Sequence, residues 1–153
     1  MKRIAPCLLI LLLTAAPAWA GAENRALELQ REREKLERER DPVGRAKIGI
    51  KISDLILDNV ADSVRGGNFA DMEQELSAYA ATIEGAHQAL VDSGRNAQKN
   101  SGGFKELEIA LRKQVIKFDD YARILTTDRR EPIEQAKKIA ASIRNKLLKA
   151  LFP

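Results

Sequence analysis

Apolar residues cover an unusually wide part of the helix predicted for residues 48–64. The polar residues of this stretch and its flanks fall within about a quarter of the helix circumference, and they are Lys47, Lys51, Asp54, Asp58, Asp62 and Arg65. Apolar side chains occupy most of the remainder, whereas an ordinary surface helix has a single apolar stripe. A helix of this kind contacts more than one neighbour. We therefore predict that it is the central helix of a bundle.

The boundaries of this central helix are marked by residues that favour helix ends. Asp41 suits an N-cap position and Pro42 suits the first helical position, whereas Gly66-Gly67 favours a helix end. Asn68 is predicted to begin the next helix, with Asp71 three residues later. The short connection predicts a helical hairpin with two antiparallel helices.

Three later segments repeat apolar residues every three or four positions, as the helices of a bundle do. They span residues 69–90, 104–125 and 132–151, and polar turns separate them. The apolar face of the last segment comprises Ile133, Ala136, Ala140, Ile143, Leu147 and Leu151. The pattern predicts an all-α fold, in which an antiparallel bundle of four main helices occupies residues 42–153.

Residues 21–41 consist almost entirely of charged residues and good helix formers. Pairs of opposite charge such as Glu34 and Arg38 support a helix, but Leu36 is the only apolar side chain after Leu29. We expect a charged, solvent-exposed N-terminal helix or spacer that precedes the bundle. The alternative is a short coiled-coil seam through the two leucines, although a coiled coil usually needs several heptads.

Residues 1–20 have the pattern of a cleavable secretory signal peptide. Lys2 and Arg3 precede an apolar run, and Ala18-Trp19-Ala20 precedes Gly21, so we expect cleavage after Ala20. The protein would then be exported, and periplasmic or extracellular. The only cysteine of the chain, Cys7, lies in this segment, so the predicted mature chain can form no disulfide.

The sequence offers no signature of an enzyme. His87 is the only histidine, which excludes every site that requires two histidines. Gly66-Gly67 and Gly102-Gly103 lack the lysine and the preceding strand of a phosphate loop, so they are interpreted as turns. No nucleophile motif is present. We expect a non-enzymatic protein with no cofactor and no small-molecule substrate.

Three carboxylates form a line along the polar side of the central helix. Asp54, Asp58 and Asp62 are spaced four residues apart and repel one another unless cations compensate them. We expect an ordinary solvated surface on which Lys51 and Arg65 reduce the repulsion. A metal-responsive sensor that uses this line and His87 is an alternative, because oxygen ligands suit hard cations.

The last predicted helix carries a basic surface beside its apolar face. Its cations are Lys137, Lys138, Arg144, Lys146 and Lys149, and both acidic residues, Glu131 and Glu134, lie in its first turn. This order complements the helix dipole. It also suits a peripheral contact with an anionic membrane surface or a partner protein. Nucleic acid is disfavoured, because no aromatic residues lie among the cations.

A second apolar stripe on the fourth helix is the remaining candidate surface. Ile109, Ile116 and Ile124 lie outside the main seam of that helix, and a four-helix monomer has limited means to bury them. The stripe predicts self-association or a helical protein partner, unless the last helix covers it. The preferred hypothesis is an exported bundle with a binding, scaffolding or chaperone-like role in the cell envelope.

Overall fold

The computed structural model describes residues 18–153, which form five α-helices and no strand. The helices are α1 (Ala18–Arg38), α2 (Pro42–Gly66), α3 (Phe69–Asp92), α4 (Phe104–Ile124) and α5 (Glu131–Leu151), with a short 3-10 helix at Thr127–Arg129. The predicted all-α fold is confirmed. Residues 1–17 of the predicted signal peptide lie outside the described residues, and α1 begins before the expected cleavage position.

The predicted ends of α2 are confirmed in detail. The carboxylate of Asp41 accepts a hydrogen bond of 2.9 Å from the Gly44 amide, and Pro42 occupies the first turn. Gly67 adopts a left-handed φ of 69°, which favours glycine. The start of α3 differs from the prediction, because the Asn68 side chain donates to Asp71 and caps no backbone amide.

Four of the helices form two antiparallel hairpins, α2 with α3 and α4 with α5. Within the second hairpin Arg144 pairs with Glu108 and Lys137 pairs with Asp119, so increasing numbers on α5 meet decreasing numbers on α4. The hairpins then pack side by side, with α2 beside α4 and α3 beside α5.

The helices that meet between the two hairpins run parallel. Gln114 of α4 contacts Ser53 of α2, and further along both helices Tyr121 contacts Leu57. The connection from α3 to α4 therefore crosses the diagonal of the bundle. The predicted antiparallel arrangement holds inside each hairpin, but neighbours across the hairpins are parallel.

The core fills the centre of the four-helix arrangement. Ile56, which the sequence places in the centre of the central helix, is fully buried, whereas its neighbour Leu55 is only half-buried. The largest fully buried side chains are Tyr79, Phe118, Ile52, Ile56, Leu57, Met72, Ile83, Leu90, Leu107, Leu111, Ile133 and Leu147. All buried residues of the described chain lie between positions 29 and 147, so removal of residues 1–20 takes away no side chain of that core.

The N-terminal helix α1 packs against the outer side of α2, which corrects the expectation of a solvated helix. Leu29 is buried and Leu36 packs on the core, as in the alternative of a short leucine seam. Glu32 is also buried, at 4% exposure. Most other side chains of α1 are exposed, so one face alone is attached.

Ion pairs reinforce the contact between α1 and α2. Lys51 lies 2.9 Å from Glu28 and 3.0 Å from Glu32, while Arg25 lies 2.5 Å from Asp62. The hydrogen bonds from Lys35 and Lys51 lower the pKa of Glu32, and that from Arg25 lowers the pKa of Asp62. Lys51 therefore stabilises the docking of α1, and the prediction that it compensates the aspartate line is wrong.

Within residues 18–153, no helix combines the length and the apolar character that crossing a bilayer requires.

Candidate binding surfaces

The five cations of α5 divide into two groups. Lys137 lies 2.5 Å from Asp119, which raises the pKa of the lysine, and Arg144 lies 2.8 Å from the nearly buried Glu108. These two residues attach α5 to α4 and are not free for a partner. Lys138, Lys146 and Lys149 are exposed, and none has a carboxylate within ion-pair distance among the described residues.

Lys138 and Lys146 line one end of a groove between α3 and α5. A cavity of about 420 Å³ at this end also contacts His87 and Glu84 of α3, above a floor of Ile139 and Ile143. Burial, and to a smaller extent the charge of Lys146, lowers the pKa of His87 below its ordinary value of 6.5. The imidazole is therefore neutral at neutral pH. The position of His87 facing α5 was not predicted from the sequence.

The other end of the same groove is acidic. Glu73 and Glu131 line a cavity of about 300 Å³ there, and Ile139 belongs to both cavities. Small residues such as Ala80 and Ala136 line the groove between α3 and α5 at this end. Its charges change sign along its length, so it has no uniform affinity for one kind of ion.

The predicted isoleucine stripe of α4 is only partly covered. Ile116 is 59% exposed and Ile124 is 64% exposed, whereas Ile109 is half-buried between two shallow cavities. The last helix packs on another side of α4, so it does not cover the two exposed isoleucines. The alternative in which α5 buries the stripe is wrong for these residues.

A third surface lies where the beginning of α4 meets the end of α5. Lys105, Ile109, Arg112, Leu151 and Phe152 line a cavity of about 280 Å³, and Phe152 is 75% exposed. We call these five residues the C-terminal patch. It combines an apolar surface with two cations, and the meeting of α4 with α5 at this point was not predicted from the sequence.

Each of the three aspartates on α2 lies beside a cation. Lys117 approaches Asp54 and Asp58 at 3.9 Å, and Asp62 pairs with Arg25 and with Arg65 at 2.6 Å. In the described part of the chain, no three or more carboxylate, histidine or cysteine side chains are placed to hold a metal ion. The predicted relief by Arg65 is present, whereas the cations from α1 and α4 were not foreseen.

A buried polar network connects the two hairpins and was not predicted from the sequence. The Tyr79 hydroxyl donates to Gln114 at 2.8 Å, and Gln114 donates to Ser53 at 2.8 Å and to Asp54 at 3.0 Å. Burial raises the pKa of Tyr79 far above its usual value, so the hydroxyl stays protonated. The network could have been anticipated from Gln114, because this polar residue lies on the apolar seam of α4, three residues after Leu111 and four before Phe118.

Aromatic rings extend this network toward the surface. Phe118 packs edge-on against Tyr79 with ring centres 5.1 Å apart, and against Tyr121 at 6.3 Å. The Tyr121 hydroxyl donates to the Leu57 carbonyl, and burial raises its pKa to about 12. These groups are fully engaged with one another, so the arrangement holds the hairpins together and offers no reactive group.

No protein-family model, no curated protein and no solved structure matches this chain.

Proposed function

We propose that this protein is an exported, non-catalytic helical bundle that binds another protein through the outer face of α4. The observation that carries the proposal is the exposure of Ile116 and Ile124, at 59% and 64%. The expectation of export rests on the signal-like pattern of residues 1–20. The proposed partner surface is an amphipathic helix with acidic residues beside its apolar stripe.

The spacing of the two isoleucines suits a helical partner. They lie eight residues apart on α4, which corresponds to about 12 Å along the helix axis. Two turns of a partner helix span that distance, and anchors at helical spacing are the usual way in which one helix recognises another. Isolated exposed apolar residues are common on proteins, but two on the same side of one helix with charges beside them are a better candidate for an interface.

The charges around the isoleucines favour an acidic partner. Arg112 and Lys113 precede Ile116 by one turn, and neither has an ion-pair partner in residues 18–153. Further along α4, Arg123 pairs with Asp120 at 3.0 Å. A helix with carboxylates beside Arg112 and Lys113 would gain charge complementarity, which contributes to association rate and specificity.

Self-association through this face is less favourable on the same grounds. In a symmetric dimer the same patch would occupy both sides of the interface. Two copies of Arg112 and Lys113 would then add positive charge to one small surface. The proposal therefore commits to a different protein as the occupant of the α4 face.

Site-specific photo-cross-linking in cells that make the protein tests this proposal. A photoreactive residue at position 116 or 124 is expected to capture one protein through an acidic amphipathic helix. The same residue at position 27 is the control, since Leu27 is 53% exposed but lies on α1. The captured protein, once purified, should bind the Ile124→Glu variant at least about tenfold more weakly, as for a buried anchor residue.

Three results would overturn the proposal. Capture that is equally strong from position 27 would mean that the cross-linking reflects exposure alone. Capture of a second copy of this chain would identify self-association instead. Unchanged affinity of the purified partner for Ile124→Glu would place its binding surface elsewhere on the bundle.

A further inference from the structure

The C-terminal patch differs from the other surfaces because its cations surround the most exposed large apolar side chain of the described residues. Phe152, at 75% exposure, lines the same cavity as Lys105 and Arg112. A single exposed apolar side chain is common on protein surfaces, but this ring lies beside Ile109, Leu151 and the two cations of the same cavity. The combination therefore indicates a partner that offers both an apolar phase and negative charge.

The positive charge of the patch is not compensated from within the protein. Glu108 also lines the cavity, but its carboxylate pairs with Arg144 at 2.8 Å. Lys105 and Arg112 have no carboxylate within ion-pair distance in the described chain. Lys149, which is also exposed, lies three residues before Phe152 and so adds a further cation near it.

We propose that the C-terminal patch docks onto a membrane surface that contains anionic phospholipids. The Phe152 ring enters the boundary between headgroups and acyl chains, while Lys105, Arg112 and Lys149 contact the phosphate groups. Phenylalanine is one of the apolar residues that peripheral helices bury at this boundary, and nearby lysines and arginines add electrostatic attraction. The half-buried Ile109 and Leu151 extend the apolar surface beside the ring.

A bilayer suits this patch better than an acidic protein does. The cations come from two helices, Lys105 and Arg112 from α4 and Lys149 from α5, and they lie beside one protruding ring, so negative charge that is spread over a membrane surface can meet all of them. A single aromatic anchor with a few cations gives reversible binding, since stable attachment needs more than one signal. The patch shares Arg112 with the proposed protein contact, but its apolar anchor is Phe152 rather than Ile116 and Ile124.

Co-sedimentation with vesicles tests the proposal, using residues 21–153 so that the apolar N-terminal run cannot insert. The protein should bind vesicles of phosphatidylglycerol and phosphatidylcholine, and not phosphatidylcholine alone. Binding should weaken as salt is added, because salt screens the attraction. Failure to bind the anionic vesicles at low salt would overturn the proposal.

Matched variants show whether the patch itself is responsible. Phe152→Ser should weaken binding at least about tenfold, because one large apolar side chain is lost from the interface. Ile124→Ser removes a similarly exposed side chain outside the patch and should have little effect. Equal losses in the two variants would contradict the role of Phe152.

The charge contribution is tested with two double variants that change the net charge equally. Lys105→Gln with Arg112→Gln should reduce binding about 25-fold, since each cation near an anionic surface contributes roughly a factor of five. Lys138→Gln with Lys146→Gln lies in the groove between α3 and α5 and should reduce it much less. The same loss in both would show a general charge effect and would overturn the assignment to this patch.

A tryptophan at position 152 gives a direct signal of insertion. Trp19 is the only tryptophan of the chain and precedes residue 21, so Phe152→Trp has a single reporter. Its emission should shift to shorter wavelength with anionic vesicles and not with inorganic phosphate. A Trp at position 124 in place of Ile124 serves as the control and should show no shift. An unchanged spectrum at position 152 would mean that the ring stays in water.

Discussion

Gly49 determines how closely α2 and α3 approach each other. A Cβ atom at this position would lie 2.9 Å from the Cβ of Ala86, which is shorter than a normal contact. Gly85, also inside a helix, has open space at the same place. Gly49 is therefore required for the packing of α2 on α3, whereas the packing places no such requirement on Gly85.

Gly49→Ala and Gly85→Ala form a matched pair for measuring this close approach. Both replacements gain about the same helix propensity, roughly 1 kcal/mol. The free energy of unfolding of Gly49→Ala should nevertheless be lower than that of Gly85→Ala by about 1–3 kcal/mol, which is the usual cost of overpacking. Urea unfolding measures both values, and equal stabilities would show that α2 and α3 can separate at no cost.

The Tyr79 hydroxyl is expected to stabilise the fold through the buried network. Tyr79→Phe removes the donor to Gln114 and leaves a buried amide oxygen without that partner, which should cost about 1–3 kcal/mol in unfolding free energy. Tyr121→Phe is the control, because its hydroxyl is only half-buried and water can replace it at the Leu57 carbonyl. A larger loss at Tyr121 in thermal or urea unfolding would contradict this ranking.

Individual helices were largely predictable from the sequence, because their ends and seams depend on local chemistry. The apolar spacing identified the faces of α3 and α5, and Asp41, Pro42 and the glycine pair identified the ends of α2. The docking of α1 was not predictable, since Leu29 and Leu36 form too short a seam. Glu32 and Lys51 complete that contact only when the two helices are already adjacent.

The attachment of α1 should weaken in acid. The folded-state pKa values of Glu32 and Asp62 are depressed, so their contribution is fully present above their ordinary values of 4.5 and 3.8. That contribution is lost as the pH falls through the lower folded-state values. Hydrogen exchange should therefore show faster amide exchange in α1 than in α3 as the pH is lowered, after correction for intrinsic rates.

Glu32→Gln gives the corresponding test at neutral pH. The variant removes the charge that pairs with Lys35 and Lys51, so exchange in α1 should increase without acid. Glu34→Gln is the control, because Glu34 is exposed and contacts only Gln30 within α1. Equal exchange in the two variants would mean that Leu29 and Leu36 alone hold the helix.

The two hairpins depend on each other across the whole molecule. The network from Tyr79 to Gln114 and the packing of Tyr79 on Phe118 connect them through the centre of the core. An isolated hairpin would expose those groups to water. This dependence was not predictable from the sequence, because periodicity identifies an apolar face but not the helix that covers it.

Fragments 42–94 and 101–153 should therefore be poorly helical when separate, and should regain helix when mixed. Each contains one hairpin, and the partner supplies the surface that buries its apolar faces. Circular dichroism of the separate and mixed fragments measures the gain. A strongly helical 42–94 fragment with a cooperative melting transition would contradict the expected dependence.

The connection that crosses the diagonal from α3 to α4 also determines how the chain could exchange hairpins. This connection occupies residues 93–103 and is the only covalent link between the two hairpins. If it were shortened until it no longer reached across the bundle, the second hairpin could not return to its own partner. It could still occupy the same position in another copy, which gives a domain-swapped dimer. The length of this loop thus allows the second hairpin to pack on the first within one chain, independently of any surface residue.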